Sequence, residues 1–276
     1  MATSTKRDQQ SREARARLRT EREAAARKAT LRGRLLVGGA LAAVLALAAG
    51  IGIYASKPGI PGGAGDAGAS SDSVGKPFVR PAHTSGTDGV VVPYGKADAK
   101  DVVSIWIDPR CPFCAGVETG LGPTLKEQAD AGTYRVDYHF ATFLDGSFGG
   151  KGSKRALNAL GAAVNESPER FMDYLQVLYK NHPAKETDDT FGSTATLLDL
   201  ADQVPGLRTP AFNQSVKELT YMPWVDKVSK AFHESGKTGT PDIEINGKRV
   251  NVLSGKGIDS IAPESFKRLV ADNLKK

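Results

Sequence analysis

Apolar and polar positions alternate with different periods along this chain, and each period predicts a different element. Residues 35–55, LLVGGALAAVLALAAGIGIYA, carry no charge over 21 positions, with Tyr54 the one polar-tipped side chain. About 20 apolar residues span a bilayer as a helix, so this run predicts one transmembrane helix. A cleaved secretory signal is the alternative, since Ala46-Leu47-Ala48 has the small-x-small pattern of a cleavage site. Residues 102–107, VVSIWI, form a short continuous apolar run, as expected of a strand buried on both faces. A helical stretch then reaches about Ala131, and Gly120, Gly122 and Pro123 predict a kink within it. Tyr134–Phe140 alternates large apolar and polar residues with the period of a strand. A long helical middle follows, in which Ser167-Pro168 reads as an N-cap with proline at the first helical position. Phe171, Tyr174, Leu175 and Leu178 share one face of that helix, and Val225, Val228 and Phe232 one face of another. Ile243 and Ile245, Asn246-Gly247, then Val250 and Val252 predict a hairpin. Phe266, Leu269, Val270 and Leu274 mark a last helix over about 262–274. No repeat of 20–50 residues is present.

The formal net charge of +6 over 276 residues is unevenly placed. Residues 1–34 hold 11 Lys/Arg against 4 Asp/Glu, whereas the remainder holds 26 against 27. The bulk of the chain is therefore nearly neutral, which argues against a nucleic-acid-binding surface on it. A basic tail before an apolar span stays in the cytoplasm by the positive-inside rule. The expected organisation is a basic cytoplasmic tail (1–34), a single-pass transmembrane helix (35–55), a Gly/Pro/Ser-rich flexible linker (56–89) and an extracytoplasmic domain (90–276). At 187 residues that domain is an ordinary size for one core.

The chemistry sits in two cysteines, both within Cys111-Pro112-Phe113-Cys114, at the end of a predicted strand and the start of a predicted helix. Thiolate is the nucleophile of disulfide exchange, and a helix N-terminus stabilises it through unpaired backbone N–H groups and the macrodipole. The first cysteine of such a turn is expected to be exposed and activated. The second, about one turn further in, can close a ring and release a mixed disulfide. Three other readings stay open: a purely structural disulfide, half of an intermolecular zinc site, or a two-thiolate Cu(I) site. Zinc wants four ligands, and none of the four histidines is spaced to help, so no metal is assigned. His139 is expected to be solvated on its strand, His83 to lie in the linker, and His182 and His233 near helix ends. Trp106 is expected in the core beside the turn, Trp224 on a helix face or groove, and Phe113 as an exposed contact residue.

VVSIWIDPRCPFC (102–114) and GTPDIEINGKRV (239–250) resemble the thioredoxin superfamily, and within it the DsbA-like, membrane-tethered, extracytoplasmic thiol-disulfide oxidoreductases. The resemblance implies an α/β thioredoxin-like fold with a helical insertion over about 150–236, here preceded by the transmembrane helix. It implies catalytic Cys111 and Cys114 and no cofactor beyond that redox-active pair. Thr240-Pro241 matches the superfamily's cis-proline loop, which packs opposite the CxxC and pairs with the substrate backbone. Expected partners are exported proteins with cysteines and a membrane redox partner that recycles the disulfide. Three positions depart from the best-known pattern. Ile105 stands where relatives often carry a buried acid, with Asp101 and Asp108 nearby; Phe113 replaces a histidine; and Thr240 also suits reductase and isomerase branches. Net oxidation of exported proteins is the leading expectation. The alternatives are reduction or isomerisation by the same fold, or a non-redox membrane-anchored binding or chaperone module.

Overall fold

The structure is a computed structural model, and it describes residues 70–275. The predicted tail, the apolar run 35–55 and linker residues 56–69 lie outside the described residues. Among the described residues no helix is long and apolar enough to cross a membrane.

Five strands form one mixed sheet: β1 (Val91–Tyr94), β2 (Val102–Ile107), β3 (Arg135–Phe140), β4 (Asp242–Ile245) and β5 (Lys248–Val250), in the order β1-β3-β2-β4-β5. The central pair β2/β3 is parallel, joined by a crossover helix α1 (Pro112–Ala131), and the other pairings are antiparallel. Between β3 and β4 runs a helical block: α2 (Phe143–Phe148), α3 (Gly152–Glu166), α4 (Pro168–Lys180), α5 (Thr194–Ala201), α6 (Pro210–Glu218) and α7 (Met222–Glu234). Helix α8 (Pro263–Ala271) closes the chain beside α1. This is the α/β arrangement with a helical insertion that the sequence predicts.

The pleat sorts side chains onto two faces. Val103, Ile105 and Ile107 join Val136, Tyr138 and Phe140 on a fully buried face. Phe171 of α4 meets that face edge-on, 5.7 Å from Tyr138 and 6.2 Å from Phe140 between ring centroids. The opposite face is only partly covered, so β2 is not equally buried on both sides as its apolar run predicts. There Trp106 stacks on His139 at 4.1 Å, with Phe232 of α7 at 6.1 Å from Trp106. His139 is thus a packed ring rather than a solvated one, because the register places it directly beside Trp106 across β2/β3.

Local signals act as expected at several ends. Ser167 Oγ caps α4 by accepting from Arg170 N at 3.2 Å. Asn246 and Gly247 take positive φ of 54° and 79°, which the tight β4/β5 hairpin requires. Helix α1 runs unbroken through Pro123. The compositional boundary at 89 differs from the packed one. Ser70 N and Ser73 Oγ donate to Asp226 of α7, the latter at 2.5 Å. Asp72 pairs with Lys151 (2.8 Å) and Arg155 (3.2 Å). Trp224, fully buried rather than in a groove, donates its Nε1–H to Gly89 O at 2.8 Å. Gly, Ser and Asp in this stretch serve turns and ion pairs, which composition alone cannot distinguish from solvated chain.

Candidate active site

Strand β2 ends at Ile107, and Asp108-Pro109-Arg110 turns the chain into α1. Cys111 is the N-cap of that helix (φ −79°, ψ 117°), and Pro112 takes the first helical position, where a missing N–H costs nothing. Cys111 N donates to Asp108 O at 2.9 Å. Cys111 Sγ accepts from Cys114 N at 3.4 Å and lies 3.4 Å from the carbonyl oxygen of Thr240. The Thr240–Pro241 bond is cis. The chain's two distant motifs therefore meet at one sulfur, with Cys111 and Thr240 129 positions apart in sequence.

Both cysteines are present as thiols, and their surroundings separate them. Cys111 is held below the usual thiol range by its hydrogen bond with Cys114, aided by Thr240 and the Cys114 N–H, against an opposing burial effect. Cys114 has no exposed surface, and burial, reinforced by Cys111, pushes it well above that range. One proton is thus held on Cys114 while Cys111 ionises. Cys111 itself is 5% exposed, more covered than the sequence predicts, because the Thr240 loop lies against it. Phe113 is exposed, as expected.

Asp108 and Arg110 anchor this turn in the interior, and neither role is visible from spacing. Asp108 is fully buried and accepts from Ser153 Oγ (2.6 Å), Arg110 N (3.0 Å) and Leu144 N (3.2 Å). Burial still raises its carboxyl to about 7. The Tyr179 hydroxyl donates to the Asp108 carbonyl at 3.1 Å. Arg110 is equally buried; it donates to Asp145 (2.9 Å), Gly149 O (2.7 Å) and Glu186 O (2.8 Å), and Asp189 lies 3.5 Å away. Ile105 packs in the core below, and Asp101 lies at the far end of β2, hydrogen-bonded to Asn246 and Lys275.

Sequence reading missed Glu118, a core carboxylate in α1. Its signal was legible: Cys114, Glu118, Leu121 and Leu125 follow a helical stripe, and an acid on a stripe that otherwise holds only apolar residues and a thiol calls for an explanation.

Two openings flank the cysteines. A groove of 520 Å³ runs beside Pro112, lined by Ala115, Gly116, Tyr179, His182 and Ile258 among others. A smaller pocket of 340 Å³ lies at the proline loop, between Lys237, Thr240, Pro241 and Arg249. Among the described residues no cluster of three or more His, Cys, Asp or Glu converges as a metal site, and His182 lines the groove with its Nδ1 engaged by Pro183 O at 2.7 Å. His233 lies in the last turn of α7, its ring edge-on to Phe232 at 5.9 Å.

A parallel β2-α1-β3 unit with a cysteine pair capping α1, opposed by a cis-proline loop, defines a class. A family model described as thioredoxin matches residues 87–272, and the chain belongs to that family. Over 155 residues the chain is 28% identical to disulfide bond formation protein D of Bacillus subtilis, covering 56% of this chain and 67% of that one. Over 195 residues it is 26% identical to thiol:disulfide interchange protein DsbL of Lelliottia amnigena, covering 67% of this chain and 86% of the relative. Among solved structures, MdbA, a thiol-disulfide oxidoreductase from Actinomyces oris, is similar with a TM-score of 0.57 at 18% identity, covering 71% of this chain and 91% of MdbA. The protein is a thiol-disulfide oxidoreductase of the DsbA-like type.

Proposed function

We propose that this enzyme oxidises cysteine pairs in exported proteins through the Cys111–Cys114 disulfide. The observation that carries the reading is the opposed tuning of the two thiols at the N-terminus of α1. A depressed Cys111 thiol makes that sulfur the better leaving group, which favours handing a disulfide onward. A substrate thiolate attacks Cys111 Sγ, the Cys111–Cys114 bond breaks, and Cys114 leaves as a thiolate that takes up a proton. A second substrate thiolate then attacks the substrate sulfur of the mixed disulfide, and Cys111 leaves as a thiolate. The substrate loses two electrons and the enzyme gains two. In this reading Thr240 and Pro241 present backbone to the substrate chain, Phe113 contacts it, and a membrane redox partner restores the disulfide. The basic tail and the run 35–55 would hold the domain outside the cytoplasm.

Replacing Cys114 with serine tests this. The expected result is accumulation of mixed disulfides between Cys111 and exported proteins, resolved by reductant. Failure to trap any would favour a binding module in which the pair is only a staple. The reduction potential against glutathione decides direction: a value near about −120 mV matches an oxidant, and one near about −270 mV a reductant. The reductase or isomerase alternative draws on Thr240, which suits those branches equally.

A further inference from the structure

The cis-proline loop carries two acids and two bases, and the fold occupies them unequally. Strand β4 sets Asp242 and Glu244 on one face, and the β4/β5 register places Arg249 directly across from Glu244 on that face. Lys237, from the turn after α7, donates to both carboxylates and lies over the Trp106 ring at 5.9 Å. Its charge is thereby held inside the patch. Arg249 keeps one ion pair, Nε to Asp242 Oδ2 at 2.7 Å. Among the described residues its two terminal nitrogens have no partner. The four charges sum to zero, but their exposure differs. The Arg249 side chain is 75% exposed and that of Asp242 is 7% exposed. An incoming chain therefore meets a guanidinium with a free fork, while the acid that anchors it stays covered.

That guanidinium stands beside the reacting sulfur. Arg249 lines the 340 Å³ pocket together with Lys237, Thr238, Thr240 and Pro241. The Thr240 carbonyl oxygen is 3.4 Å from Cys111 Sγ, so one wall of the pocket touches the sulfur under attack. The remaining walls are low: a Cβ on Gly236 or Gly239 would meet nothing within 4 Å. An extended chain advances about 3.3 Å per residue. A substrate that pairs with the Thr240 backbone thus brings the side chains one or two positions from its cysteine over this pocket. A planar fork of free N–H groups takes a carboxylate through two parallel hydrogen bonds. A lysine in the same place would face a like charge.

We propose that Arg249 is a specificity-determining residue that selects substrates with an aspartate or glutamate within two positions of the reacting cysteine, taking that carboxylate on its free guanidinium fork. The inference rests on the thiol-exchange reading above and names the substrate class of that site. Asp242 holds the Arg249 stem through Nε and leaves the far edge of the guanidinium for the substrate. Lys237 neutralises Asp242 and Glu244, which removes the repulsion those two acids would otherwise exert on an acidic chain.

The test uses the oxidised full chain in neutral detergent and peptides of equal length with two cysteines, each flanked by Glu, by Gln or by Lys. The rate at which each peptide reduces the protein is divided by its rate with bis(hydroxyethyl) disulfide, which removes the intrinsic reactivity of the peptide thiols. At low ionic strength the wild-type chain is expected to favour the Glu peptide over the Lys peptide by at least about threefold, the scale of an exposed charge pair. Arg249→Gln should bring that ratio close to one, and Arg249→Glu should invert it, which a merely structural role for the side chain would not do. Lys126→Gln removes an equal charge about 18 Å along α1 from Cys114 and should keep the wild-type ratio. A wild-type ratio below about threefold, or a Glu preference that survives in Arg249→Glu, overturns the proposal. A wild-type disulfide that none of the peptides reduces would instead defeat the thiol-exchange reading itself.

Discussion

Replacing Arg110 with methionine removes a buried charge from directly beneath the cysteine turn. The guanidinium is 1% exposed and its partner Asp145 is 3% exposed at 2.9 Å. Removing one member of a buried pair costs about 3–5 kcal/mol, because the other charge is left without compensation. Asp145 keeps two backbone donors at the start of α3, Ser153 N (2.9 Å) and Lys154 N (3.0 Å). The carbonyls of Gly149 and Glu186 lie on loops that water can reach. These features place the expected loss at the lower end, about 3 kcal/mol. For a body of this size the melting temperature should fall by about 6–12 °C, with an unchanged urea m-value. Arg110→Met combined with Asp145→Asn should recover about 1–2 kcal/mol, since two neutralised partners cost less than one orphan. The assay is equilibrium urea denaturation of the reduced protein for both single variants and the double. A loss within about 0.5 kcal/mol, the range of surface substitutions, or strict additivity of the two changes, would refute the clamp.

The remaining expectations concern the cysteines, a packed histidine and two glycines. Absorbance at 240 nm of the reduced protein should report Cys111 ionising below an ordinary thiol, with Cys114 silent over the same range. Because the Cys111 value is depressed in the folded state, its stabilisation of the dithiol form is present above the unfolded thiol value. It is lost as pH falls through the folded one, and the disulfide form lacks this dependence. His139 is pushed down to about 4 by burial, so below about pH 6.5 the unfolded chain binds a proton that the folded one refuses. Stability should fall between those values by about 3 kcal/mol, and His139→Phe should remove that slope from the pH dependence of urea midpoints. A Cβ on Gly116 would lie 1.9 Å from the Ile258 carbonyl oxygen, backbone that must shift, whereas one on Gly120 meets chiefly the rotatable Ser260 hydroxyl. Gly116→Ala should therefore lower the melting temperature and Gly120→Ala should be tolerated far better, although both would favour an isolated helix.

The features legible in the sequence are those set by neighbours a few residues apart. The position of β2, the β3 period, the Ser167 cap, the Asn246-Gly247 turn and Pro112 at the start of α1 follow from local sterics and backbone donors, and each is where the pattern places it. The cysteine pair at a strand-to-helix junction was readable for the same reason, since N-capping is a local event. That Thr240 reaches Cys111 came from resemblance to a family, not from spacing, because nothing local joins positions so far apart in the chain.

Tertiary packing decided the electrostatics. Asp108, Arg110 and Glu118 look like ordinary charged residues in a string of letters. Their burial depends on α2, α3 and α4 closing over the turn, and low polarity is what raises a carboxyl or makes an ion pair costly to break. The partial cover of Cys111 by the Thr240 loop, the stacking of His139 on Trp106 and the anchoring of residues 70–89 to α3 and α7 have the same origin. Each joins groups whose separation along the chain carries no periodic signal. The chain by itself determined which elements form and that the two sulfurs lie within one turn at the start of α1, since those depend on backbone geometry within a turn or a pleat. Which groups hold their protons was left to the fold, because a pKa answers to every dipole and every missing water around it.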